Sequence, residues 1–130
     1  MNFSPVRRVV TRSGKHMRGK FPSRKMGVMM PWESPIEADA IRLFEFNPGV
    51  VSYCAQPSRE VYYDAGGIAH SFIPDFRVDF HHGDSIWVEI KSDADVEYPP
   101  TARTLGLKAM ALQEQGRCYR LLNASQIAQQ

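Results

Sequence analysis

The chain has 130 residues, the size of one domain able to bury a core without disulfide or metal staples. Its 43% apolar and 23% charged residues exclude a disordered or fibrous chain, and no run is apolar enough to span a bilayer. Two cysteines, Cys54 and Cys118, give no metal spacing and suit a reducing interior, and the basic start lacks a signal peptide's apolar core, so a cytoplasmic protein is expected.

The net charge of +2 hides an asymmetry. Residues 1–32 carry Arg7, Arg8, Arg12, Lys15, Arg18, Lys20, Arg24 and Lys25 and no acid, while every one of the 14 acidic side chains lies beyond them. A basic arm on an acidic body suits a polyanion, and equally a solvated tail. Residues 1–30 show no helical period and read as an extended arm with local order only, with Met26 to Met30 starting to dock on a body that runs from 31 to 130.

Pro31-Trp32-Glu33-Ser34-Pro35 opens a helix: Ser34 suits the N-cap, Pro35 the first helical position, and Glu37 stands at capping-box spacing. The helix is predicted to reach about Phe46, with Ile36, Ala40, Leu43 and Phe44 facing the core and Asp39 and Glu45 solvated. Strands follow at Val50 to Cys54 and Arg59 to Tyr63, and Asp64-Ala65-Gly66-Gly67 reads as a turn. Phe72 to Phe80 and Ser85 to Lys91 are two strand arms around His81-His82-Gly83-Asp84. Parity puts His70 with Phe72 as a packed residue. Adjacent His81 and His82 point to opposite faces, against a shared metal. Ser92 to Pro100 reads as an acidic loop, Thr101 to Gln115 as a helix with Leu105, Lys108, Ala109 and Leu112 near one face, Cys118 to Leu122 as a last strand, and Asn123 to Ala128 as a short helical turn. Helix, three or four strands, helix, strand gives an α/β fold with a mixed sheet flanked by helices.

The chemistry concentrates between Phe72 and Lys91. Glu89 and Lys91 share one strand face, and pairing the two arms brings Asp75 beside Glu89. Carboxylate oxygens are hard ligands suited to Mg²⁺, which binds through one or two acids and keeps waters and phosphate oxygens as its remaining ligands. Such an ion activates water and stabilises charge at phosphorus. Lys91 would then neutralise the phosphate or orient the water. Glu37 has two readings, a helix-capping carboxylate or a third acid leaning over that face. A solvated Glu-x-Lys face is the plain alternative. Trp32, Trp87 and Tyr62-Tyr63 suit base stacking or the core alike.

The set Glu37, Asp75 and Glu89-Ile90-Lys91 resembles the catalytic pattern of the PD-(D/E)XK nuclease superfamily. Trp32-Glu33-Ser34, Phe46-Asn47-Pro48, Gln56-Pro57, Ile73-Pro74-Asp75-Phe76 and Val88-Glu89-Ile90-Lys91 together look like the N-terminal endonuclease domain of TnsA-like proteins, as does the lead-in Gly19 to Gly27. The resemblance covers roughly residues 7 to 122. It implies a restriction-endonuclease-like αβββαβ core. It makes Glu37, Asp75 and Glu89 metal-binding acids, the Ile90 carbonyl a further ligand, Lys91 the catalytic lysine, Gln56 a site neighbour and Lys108 an approach to substrate from the second helix. The implied activity is Mg²⁺-dependent DNA endonuclease, with Mn²⁺ able to substitute, leaving a 5′-phosphate and a 3′-hydroxyl. Residues 7–25 would grip the DNA backbone without reading sequence.

TnsA-like proteins continue into a C-terminal domain that contacts other transposition proteins. This sequence ends at Gln130, so a free-standing phage or mobile-element nuclease is as much expected as a transposase subunit. Homodimerisation stays open. The alternative function is a DNA-binding or assembly subunit that uses the same fold without cutting.

Overall fold

The computed structural model describes residues 17–129. The basic residues Arg7, Arg8, Arg12 and Lys15 lie outside them.

The described chain begins with a hairpin, β1 (Gly19–Ser23) and β2 (Val28–Trp32), so the extended arm expected through residue 30 does not hold for this stretch. No period of two announces the hairpin, because its core contacts are few. Met30 is fully buried with Ile41 and Phe44, and Ser23 is buried beneath the turn. Gly27 supplies the left-handed backbone that closes the turn.

Helix α1 (Pro35–Phe46) starts where the cap signals put it, with Ser34 as N-cap. Ala40 and Phe44 are buried as the stripe requires. Ile41 is buried too, while Ile36 and Leu43 are only partly covered. Glu45 is not a solvated residue: its carboxylate accepts from the Ser23 hydroxyl at 2.6 Å, the Lys25 N–H at 3.0 Å and the Tyr53 hydroxyl at 2.7 Å. Asp39 is exposed, as expected, and pairs with Arg42.

The main sheet holds β3 (Val50–Ala55), β6 (Phe76–Phe80), β7 (Ser85–Lys91) and β8 (Cys118–Asn123) in that order. The first three are antiparallel neighbours, and β7 and β8 are parallel. The arm read as one strand from Phe72 to Phe80 is broken at Ile73-Pro74-Asp75. Its first part, β5 (Ala69–Phe72), pairs with β4 (Glu60–Tyr63) in a separate two-stranded sheet. Parity does not carry across the break. Phe72 packs on one face of the molecule, Phe76 on the other. His70 is accordingly exposed, stacked on Tyr62 and paired with Asp64 at 2.9 Å, and not packed inside.

Residues read as an acidic loop contain a short helix, α2 (Asp93–Glu97), capped by the Ser92 hydroxyl. Helix α3 (Pro99–Glu114) crosses from β7 to β8, and α4 (Ala124–Ala128) ends the described chain. Helix α1 and the hairpin cover one sheet face, over Val78, Val88 and Ile90. Helix α3 covers the other, where Leu105 and Leu112 meet Phe72 and Tyr119. The protein is thus mixed α/β, with a mixed sheet flanked by helices. Among the described residues no helix is long and apolar enough to cross a membrane.

Candidate functional site

Strand β7 organises the site. Its even positions Val88 and Ile90 enter the core on the α1 side, so Trp87, Glu89 and Lys91 face α3. The β6–β7 register pairs Phe76 with Val88, and one step further puts Asp75 opposite Glu89. The Asp75 carboxylate accepts from the Ile90 N–H at 2.8 Å, which locks it against the Glu89-Ile90-Lys91 segment. Asp75 and Glu89 are therefore neighbours, as the pairing of the two arms predicts.

Two adjacent acids enclosed by protein repel each other. Glu89 is 4% exposed. Asp75 keeps some accessible surface, but its carboxylate is closely surrounded. Burial and then the Glu89 charge push the Asp75 carboxyl well above the usual range, Glu37 adds to this, and the Ile90 N–H opposes it. Lys108, from α3, stands 3.4 Å from the Glu89 carboxylate and over the Phe72 ring at 5.1 Å. Lys108 therefore reaches the Glu89 end of the acid pair from α3.

Tyr119 went unnoticed in the sequence. It lies on β8 directly across from Trp87, so its side chain shares the face of Glu89. Its hydroxyl is buried and makes no hydrogen bond of normal geometry. Burial, then the charges of Glu89 and Asp75, hold its proton in place. Only the parallel pairing of the last strand, which single-strand patterns do not encode, could have flagged it.

Glu37 takes the capping reading. Its N–H donates to the Ser34 hydroxyl at 3.3 Å, and its carboxylate accepts from the Glu33 N–H at 3.2 Å and the Ser34 hydroxyl at 3.4 Å. The capping geometry is thus present, with the reach-back falling on Glu33. The same carboxylate is close enough for its charge to act on Asp75. Gln56 is buried and adopts φ 49°, left-handed for a residue with a side chain. Its N–H donates to the Asp75 carbonyl at 2.8 Å, and its amide donates to the Glu33 carboxylate at 3.2 Å. Gln56 thereby links the backbone of one site acid to the segment that caps another. Glu33 is a second residue that sequence reasoning passed over.

Neither the family models nor the curated proteins contain a match to this chain.

Among the described residues no three His, Cys, Asp or Glu side chains form a group arranged to hold a metal ion. The pair Asp75 and Glu89 nevertheless fits a hard divalent cation in its chemistry. Their oxygens are hard donors, their mutual repulsion is offset by one lysine, and Mg²⁺ needs only one or two carboxylates. The Ile90 carbonyl belongs to the same segment.

Arg18, Lys20 and Arg24 are exposed. Lys25 differs: its ammonium donates to the carbonyls of Phe44, Asn47 and Val50 at 3.0, 2.9 and 2.6 Å. It closes the end of α1 and is not offered to a polyanion. The Lys91 ammonium makes no hydrogen bond or ion pair among the described residues, and Lys91 lines a cavity of about 240 Å³ with Pro100, Thr101, Thr104, Leu105 and Lys108.

Proposed function

We propose that the chain is a metal-dependent DNA endonuclease with a restriction-endonuclease-like core, akin to the TnsA-like N-terminal domains. One observation carries the reading: the Asp75 carboxylate is hydrogen-bonded to the N–H between Glu89 and Lys91. The loop acid Asp75 is thereby tied to the strand segment that carries Glu89 and Lys91.

Asp75 and Glu89 would hold Mg²⁺ or Mn²⁺, with the Ile90 carbonyl as a further oxygen and Glu37 adding negative charge nearby. When bound, the ion supplies Lewis-acid activation at the phosphodiester. The chain's own residues do the rest. Lys91, uncommitted to any acid among the described residues, neutralises the phosphate under attack. The Ile90 N–H fixes the Asp75 rotamer. Gln56 and Glu33 hold the Asp75 backbone and the Glu37 carboxylate in register. Arg18, Lys20 and Arg24 extend a basic surface toward the DNA backbone.

The rival is a DNA-binding or assembly subunit that does not cut. The use of the Glu37 carboxylate in capping α1 favours it. Purified protein with supercoiled and linear DNA, in Mg²⁺, Mn²⁺ or EDTA, separates the two. The expected result is metal-dependent cleavage that Asp75→Asn and Lys91→Ala each abolish while the melting temperature holds. Cleavage retained by either variant overturns the assignment of that residue, and DNA binding with no cleavage under either metal supports the rival.

A further inference from the structure

The cavity beside Glu89 has a composition that the acid pair does not account for. It lies between the end of β7 and the first turns of α3, and both its charged lining residues are lysines, Lys91 and Lys108. Lys108 sits on the buried stripe of α3, between Leu105 and Leu112, with its side chain 15% exposed. A lysine on that stripe is held there by Glu89.

The start of α3 adds a second feature. Pro99 and Pro100 occupy its first two positions and carry no N–H. Ala102 donates to the Tyr98 carbonyl, and no described hydrogen bond takes the N–H or the hydroxyl of Thr101. The Thr104 hydroxyl is engaged with the Pro100 carbonyl at 3.1 Å. Thr101 therefore brings two uncommitted donors to a cavity that two ammonium groups already line. All these donors suit an anion, and tetrahedral oxyanions accept several N–H and O–H groups at once.

We propose that this cavity is a phosphate subsite, formed by Lys108 and Thr101 and bordered by Lys91, which holds a backbone phosphate next to the one that Lys91 meets at Asp75 and Glu89. The proposal rests on the nuclease reading and adds to it the element, α3, that seats the neighbouring nucleotide. Lys108 has a double task there. It offsets the Glu89 charge that would otherwise repel the strand, and it presents the same ammonium to the phosphate. Thr101 supplies direction where the lysines supply charge.

The full chain with a fluorescent DNA duplex in EDTA, where nothing is cut, tests the subsite. Thr101→Asp and Lys108→Gln should each weaken binding and lower the slope of log K against log salt by about one, the loss of one phosphate contact. Thr101→Asp should melt no earlier than wild type, since an acid in a helix's first turn is favourable. This separates lost binding from lost folding even where Lys108→Gln unfolds. Inorganic phosphate alone should shift the Thr101 amide resonance in wild type and not in Lys108→Gln or, at position 101, Thr101→Asp. An unchanged salt slope in Thr101→Asp, or a Thr101 amide indifferent to phosphate, overturns the subsite. Phosphate binding at Thr101 without metal-dependent cleavage would leave the subsite standing and remove the nuclease. Cleavage with no phosphate response would do the reverse.

Discussion

Gln56 shows how much a single position can reveal. A side chain at φ 49° costs about 1–2 kcal/mol relative to glycine. The Gln56 amide offsets part of that cost by tying Glu33, and the N–H it redirects fixes Asp75. Gln56→Ala should therefore be less stable than Gln56→Gly by about 1 kcal/mol in urea unfolding, because both lose the amide and only alanine keeps the strain. Equal stability of the two would show that the backbone is relaxed there. On the proposed nuclease reading, both should lose cleavage to the same extent, since neither reaches Glu33. Asp75 makes the opposite case. Its carboxylate is disfavoured by burial and by Glu89, so Asp75→Asn, which keeps an acceptor for Ile90, should match or exceed wild type in melting temperature. A clear fall in melting temperature would mean that a positive partner, and not a repelled one, governs that position.

At the scale of elements, the hairpin β1–β2 depends on one carboxylate. Burial pushes the Glu45 carboxyl up, but hydrogen bonds from Ser23, the Lys25 N–H and Tyr53, with the Lys25 charge, bring it below its usual value. Its contribution is present above the unfolded value of about 4.3 and is lost as pH falls through the lower folded value. Glu45→Gln should cost about 1 kcal/mol at neutral pH and flatten the acid side of the stability profile. Circular dichroism melts from pH 7 down to pH 3 would read both. Helix α1 was legible because Ser34, Pro35 and Glu37 act within one turn, and the Asp75–Glu89 approach was legible because antiparallel neighbours follow from alternation. The break at Pro74 was not, since Phe72 and Phe76 look alike in an alternating pattern and differ only in which helix covers them. Glu45 and Tyr119 were also hidden. Their partners lie on other elements, and no spacing along one strand or helix encodes those.

Across the whole molecule, the charge is divided by position. Arg117 forks onto Glu60, with one of its two contacts at 2.9 Å, and stacks over Trp87, joining the small sheet to the start of β8. The Arg117 hydrogen bonds hold the Glu60 carboxyl below its usual range, so this joint too weakens only on acidification. Arg117→Gln should lower stability more at neutral pH than after acidification, with the lost Trp87 stack as the pH-independent remainder, measured by the same melts. The small sheet has one more property. Its excursion leaves β3 at Gln56 and rejoins the main sheet at Asp75, and those two residues are bonded N–H to carbonyl at 2.8 Å. The intervening segment is a ring whose ends are already fastened. Lengthening a ring costs only the logarithm of its size, about 0.6 kcal/mol for each doubling. A flexible peptide spliced at the exposed Gly66-Gly67 turn, far from the fastening point, would thus leave the four-stranded scaffold as it is, giving this molecule a natural place to carry a label or a grafted recognition loop.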